Sequence, residues 1–187
     1  MKKLKARDGA RCGMVVPEGT LFRNGAFASV KKTLLEDFDL FMVVSLPPGT
    51  FAPYSDVKAG LLFFQRPGPT KEVLYYELPL TEGLKKFSKG SPIADEHFDG
   101  ARQVWERWKA YRQEKAPQPE LTDTSWIEAA ETLASSGFDL SPKNPSRLDA
   151  EPLPHPAVLT AMLLEHSQEF HGVLDRLHDM VSSGERA

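Results

Sequence analysis

Between two apolar runs of this 187-residue chain lies Leu46-Pro-Pro-Gly-Thr-Phe-Ala-Pro-Tyr-Ser-Asp-Val-Lys58, a stretch whose residue types suggest recognition chemistry. Pro47, Pro48 and Gly49 stiffen it, Phe51 and Tyr54 offer rings, and Lys58 supplies a cation. Aromatic faces stack on nucleobases and a neighbouring cation holds phosphate. Stiff loops at strand ends are also where α/β sheets take ligands. Composition alone favours a plainer reading, in which Phe51 plugs the end of the sheet.

Other reactive residue types form weaker patterns. The single cysteine, Cys12, sits in an apolar run and reads as packing. His155, His166, His171 and His178 come late, and His171 and His178, seven positions apart, could share a helical face. Zinc wants about four ligands and no cysteine pair is available, so these read as surface or seam histidines and no metal is expected. Glu36-Asp37 and Glu128 with Glu131 fit solvated helix faces. The chain holds no G-x-G-x-x-G, G-x-x-x-x-G-K-[ST] or G-x-S-x-G pattern. Dinucleotide fingerprint, P-loop and nucleophile elbow are thereby excluded.

The elements that would position the loop can be read from periodicity. Arg11–Val16 is an apolar run stopped by Pro17, which predicts a buried strand. Over Ala28–Phe38, Val30, Leu34, Leu35 and Phe38 fall on one helical face, with Lys31, Lys32, Glu36 and Asp37 opposite. Leu40–Leu46, Gly60–Gln65 and Glu72–Leu78 are further strands, the last two hairpin-like around Arg66–Thr70. Strands that are apolar throughout are covered on both faces, the habit of α/β sheets. The order implies one βαβ unit with antiparallel strands at its end.

Ala101, Val104, Trp105, Trp108 and Tyr111 then mark a helix that ends before Pro117. Ser125-Trp-Ile-Glu128 has the form of a capping box, predicting a short helix up to Ser136-Gly137. Five prolines between residues 142 and 156 mark a connector. Leu159, Leu163, His166, Phe170, Val173, Leu177 and Met180 follow at alternating spacings of four and three. That is a coiled-coil seam of about three heptads, or the buried face of a helix packed on its own domain. The expected organisation is α/β over 1–116, a short helix and connector over 117–155, and a C-terminal helix over 156–187.

Composition sets the class. Hydrophobic residues make up 41% and charged residues 26%, as in an ordinary globular chain with a real core. The net charge of −3 is unlike that of a small stand-alone DNA binder. The charge is uneven, since residues 1–35 hold eight Lys/Arg against two Asp/Glu. A lone thiol suits a reducing compartment. No apolar run approaches the ~20 residues of a membrane span. Met1–Arg7 is charged like the start of a signal peptide, but no export core follows. A cytoplasmic protein is expected.

Arg11-Cys-Gly-Met-Val-Val-Pro-Glu-Gly-Thr-Leu-Phe22 resembles the "G-G-R-x-x-V-V-P-[DE]-G-x-L-F" strand of the methyltransferase subunit of type I restriction-modification systems. The resemblance runs on through Leu34–Phe38, Val43–Phe51, Pro53-Tyr54, Val57-Lys58 and Leu61–Phe64. Trp126 and Gly137-Phe-Asp-Leu-Ser-Pro-Lys-Asn-Pro145 are similar to the family's later "G-Y-D-L-S-x-x-N-P" segment. Nearly the whole chain is covered, in order.

The resemblance implies an S-adenosylmethionine-dependent, site-specific adenine-N6 DNA methyltransferase. It implies a partial Rossmann-like sheet, from the family's strand 5 onward, followed by helices. Arg11–Val16, Gly60–Gln65 and Leu40–Leu46 would lie side by side in that order, the second antiparallel and the first bordering the family's strand 4. The family's glycine-rich cofactor motif and its [DNS]-P-P-[YFW] tetrapeptide do not occur here; Pro47-Pro48 is flanked by Leu46 and Gly49. The chain is therefore expected to supply the target-base side of the site and to be inactive alone. Phe51 takes the place of the residue that stacks on the flipped adenine, with Tyr54 competing and Lys58 meeting a phosphate. Implied partners are the family's N-terminal half, a specificity subunit and DNA, with self-association through the open sheet edge. The second reading is a non-catalytic module that docks a specificity subunit through Leu163, Phe170, Val173 and Leu177.

Overall fold

The apolar run at residues 39–45 becomes the most enclosed strand of the molecule. The computed structural model describes Leu4 and residues 9–120, 122–147 and 155–184. Its elements are β1 (Arg11–Pro17), α1 (Glu18–Phe22), α2 (Ala26–Asp37), β2 (Asp39–Ser45), β3 (Ala59–Gln65), β4 (Glu72–Glu77), α3 (Asp99–Arg112), β5 (Ser125–Ala129), α4 (Ala130–Ser135) and α5 (Pro156–Gly184). The chain divides into two units, residues 1–148 and 149–187. The first is a five-stranded sheet with helices on it, and the second contains α5.

The sheet runs β1-β3-β2-β4-β5. β3 is antiparallel to both β1 and β2, β4 is parallel to β2, and β5 is antiparallel to β4. The expected order of the first three strands is therefore observed. Residues 60–65 and 72–78 are not a hairpin, however. After the turn the chain passes to the far side of β2 and pairs parallel to it. The second half of β1 also departs from expectation. Met14 and Val15 are exposed and Val16 alone is buried, because β1 is the edge of the sheet rather than a buried strand.

Two apolar layers cover the sheet, as continuous apolar runs require. Leu34, Leu35 and Phe38 of the α2 region pack with Leu40, Val43, Phe64 and Val73 on one face. Ala101, Val104 and Trp108 of α3 pack with Phe41, Met42, Val44 and Leu74 on the other. Phe41 and Met42 share that second face because the β2–β3 register shifts between Leu40 and Met42. Trp108 Nε1 donates to the Phe41 carbonyl at 3.0 Å, within the shifted stretch. A buried polar group without a partner is costly, so this bond secures α3 on the irregular stretch.

Two further expectations are corrected. Residues 125–129 form β5, not a helix start; the short helix begins only at Ala130. On α2, Lys31 is 4% exposed while Val30 is 55% exposed, the reverse of the periodic pattern. Lys31 Nζ donates to the carbonyl of Leu21 at 2.6 Å, and the Leu140 amide donates to the same oxygen at 3.1 Å. Burial lowers the pKa of Lys31, and the charge of Asp139 opposes that shift.

Candidate functional site

β2 and β4 run parallel, so Ser45 and Glu77 finish at the same end of the sheet. In open sheets this carboxyl end is where ligands are held. The segment 46–58 leaves β2 there and returns as β3. Its two ends meet through Leu46 N–H donating to the Ala59 carbonyl at 2.9 Å, and Leu78 N–H donates to Ser45 O at 3.0 Å beside them.

Within the loop, short-range bonds set the course of the chain. Thr50 Oγ1 donates to Pro47 O (2.7 Å), Ala52 N–H to Gly49 O (2.9 Å), and Tyr54 and Ser55 N–H both to Phe51 O (3.0 and 3.1 Å). Phe51 and Ser55 form an isolated β-bridge across the tip. These bonds spend the polar backbone groups on the loop itself and leave the rings outside. Phe51 is 39% exposed and Tyr54 94%. A ring that plugged the sheet end would be buried, and Phe51 is not.

Lys58 stands at the base of the loop, where Glu18 Oε1 lies 3.5 Å from its Nζ. Lys58 O also accepts from Glu18 N–H at 2.9 Å, tying the loop base to the start of α1. A hollow of about 230 Å³ at the strand ends is lined by Pro47, Pro48, Lys58, Glu77 and Thr124 among others. The rings of Phe51 and Tyr54 do not line it. The structure thus brings Pro47, Pro48 and Lys58 to one hollow and places the two rings outside it. Sequence reasoning missed Glu18, Lys86 and Phe87, all of which touch this loop. No short motif signals them, since each reaches it from a distant segment.

A larger hollow, about 480 Å³, lies on the α3 side of the sheet beside the open edge, with Arg11, Phe41, Leu61, Phe63, Phe98 and Trp105 in its lining. Among the described residues, no group of three or more His, Cys, Asp or Glu side chains could hold a metal. No helix among them is long and apolar enough to cross a membrane. On α5, Leu163, Phe170, Val173 and Leu177 are exposed, as are His166, His171 and His178.

Comparison with known proteins places these features in a family. The model of the N-6 DNA methylase family matches residues 2–151. The methylase subunit of the type I restriction enzyme EcoEI of Escherichia coli is 32% identical over 177 residues, 94% of this chain and 35% of that protein. The EcoKI methylase subunit of Escherichia coli K12 is 25% identical over 214 residues, 96% of this chain and 40% of that protein. Among solved structures, a chain of the type I R-M system is 59% identical, with a TM-score of 0.76 over 98% of this chain and 38% of that one. The modification subunit of a type I restriction enzyme from Vibrio vulnificus is 36% identical, with a TM-score of 0.65 over 79% of this chain and 29% of that one. The chain spans about two fifths or less of the length of these relatives. With the family's pattern running through residues 2–151, the chain belongs to the N-6 DNA methylase family and matches part of the methylase subunit of type I restriction-modification systems.

Proposed function

We propose that this chain supplies the target-base side of an adenine-N6 DNA methyltransferase of type I, and that it does not methylate DNA by itself. The observation that carries the reading is Phe51: a ring held partly exposed, on a self-bonded loop, at the shared carboxyl end of β2 and β4. Enzymes that modify a base extrude it from the stack and hold it by stacking and by hydrogen bonds to its edge. A ring already fixed in place loses little conformational entropy when a base stacks on it. Lys58, shared with Glu18 at the loop base, is suited to a backbone phosphate near that base.

S-adenosylmethionine is the cofactor implied by the family. A backbone cradle for it needs glycines whose open face meets the ligand. At the strand ends the candidate is Gly49, and its open face is filled by the protein itself: a Cβ there would stand 2.0 Å from Phe87 O. These residues do not fit the cofactor.

The test uses the purified chain, duplex DNA carrying the target adenine, and labelled S-adenosylmethionine. No transfer is expected from the chain alone, because positioning and charge stabilisation are lost together when the cofactor site is elsewhere. Adding the N-terminal region of a type I methylase subunit should restore transfer. Transfer by the chain alone would overturn the reading.

A second reading rests on α5, whose Met162, Leu163, Phe170, Val173 and Leu177 are exposed along its length. In that reading the chain docks a specificity subunit through this stripe and contributes no residue to chemistry.

A further inference from the structure

Two consecutive residues from outside the loop grip both of its limbs. On the first limb, Phe87 N–H donates to Pro48 O at 3.1 Å. On the second, Lys86 Nζ lies 3.3 Å from both carboxylate oxygens of Asp56. Pro48 and Asp56 flank the tip that carries Phe51 and Tyr54. The contact is close enough to dictate a residue type. Gly49 has φ +78°, and the place a Cβ would take is already occupied by Phe87 O. A side chain at 49 has to displace that carbonyl.

Phe87 is itself anchored. Its ring is buried and meets His97 edge-on, with centroids 5.0 Å apart. His97 Nδ1 lies 3.0 Å from Ala94 N, and His97 Nε2 lies 3.1 Å from Thr81 Oγ1. The segment before α3 therefore forms a fixed post against which the loop is held. Nothing in the loop's own sequence requires such a post, and the enclosed ring of Phe87 explains why the post does not drift.

We propose that Phe87 and Lys86 are positioning residues that clasp the 46–58 loop and fix the direction in which Phe51 is presented to an extruded base. The proposal rests on the target-base reading above, and its test separates the two. Surface ion pairs are weak, so the Phe87–Gly49 contact is the stronger half of the clasp and Lys86–Asp56 the weaker.

In the full chain, Gly49→Ala should open the clasp without removing a core side chain. Amide exchange at Ala52, Tyr54 and Ser55, the donors inside the loop, should become about tenfold faster, with β2 and β4 amides unchanged. Lys86→Glu, a surface change that sets like charges at Asp56, should speed the same amides about two- to threefold and leaves the fold untouched. Loop exchange at the native rate in both variants overturns the clasp. In the enzyme completed with the N-terminal region of a type I methylase subunit, 2-aminopurine at the target position reports the extruded base. If Phe51→Ala loses that signal, Gly49→Ala should lose it too, at unchanged cofactor affinity; retention in Gly49→Ala alone overturns the positioning role. If Phe51→Ala keeps the signal while the loop amides are freed in Gly49→Ala, the clasp stands and the target-base reading fails.

Discussion

Tyr75 and Trp126 face each other across the β4–β5 ladder, their rings 5.3 Å apart and within 14° of parallel. Both are buried, and among the described residues neither the Tyr75 hydroxyl nor the Trp126 indole N–H has a hydrogen-bond partner. Stacked rings stabilise the pairing of the last strand, while the two polar atoms oppose it.

This pair makes stability sensitive to alkali. Burial raises the Tyr75 pKa well above its ordinary value, and the charges of Glu128 and Asp139 push the same way. The folded state thus keeps its proton where the unfolded chain loses it, so stability is complete below about pH 10 and falls as pH rises beyond it. Tyr75→Phe should raise stability by about 1 kcal/mol at pH 7.5 by removing an unpartnered buried hydroxyl, and should reduce the loss above pH 10. Urea midpoints at pH 7.5 and 10.5 measure both. A lower midpoint for the variant at pH 7.5 would show that the hydroxyl is well satisfied.

Phe51→Ala in the completed enzyme should cost about 1–3 kcal/mol of hold on the extruded adenine, the usual worth of a base stacked on a ring. Methylation should fall while the dissociation constant for S-adenosylmethionine stays the same. Tyr54→Ala should do less, although Tyr54 is the more exposed ring. An intact rate in Phe51→Ala with a loss in Tyr54→Ala moves the assignment to Tyr54.

The α5 stripe predicts a second interface. An isolated seam of about three heptads is marginal without something to bury it. Phe170→Asp combined with Leu177→Asp should abolish co-purification with a type I specificity subunit. Circular dichroism near the tryptophan bands should be unchanged, since all three tryptophans lie before residue 149. Co-purification of the double variant would remove α5 from the contact.

Among the described residues the outer edge of β1 is unpaired, with Met14 and Val15 exposed on the strand. Open apolar edges pair with other chains, so the chain alone is expected to self-associate at ~100 µM, and the N-terminal region of a type I methylase subunit should suppress this. Val15→Lys should shift sedimentation toward monomer, as charge on an edge strand does. A clean native monomer at that concentration counts against an adhesive edge.

How much of this was legible beforehand depends on where each residue finds its partner. β2 and β4 announce themselves because a strand covered on both faces must be apolar throughout. Ser125-Trp-Ile-Glu128 fits a helix cap equally well in isolation; what makes it a strand is Tyr75, far earlier in the chain, stacked on Trp126. Lys31 falls on the outer face of α2 by periodicity, yet it turns inward. α1 is a five-residue helix, and the last carbonyls of a helix lack intrahelical partners; Lys31 supplies one for Leu21. At the site, the loop's proline and aromatic content was visible at once. The grip of Phe87 on Gly49 was not, because a glycine that a distant carbonyl requires looks like any glycine in a turn.

The antiparallel β3 also sets a timetable for synthesis. Arg11 pairs with Gln65, 54 positions further on, and among the described residues β1 pairs in the sheet with β3 alone. At about 5–20 residues per second, a ribosome needs roughly 3–10 s to make that partner available. Until then β3 is not there to cover the apolar Met14-Val-Val16 stretch. Lys2, Lys3, Lys5, Arg7 and Arg11 crowd the chain just before it, and like charges beside a sticky strand keep nascent copies apart. The excess of positive charge ahead of β1 is thus suited to guarding a strand whose β3 partner is made late.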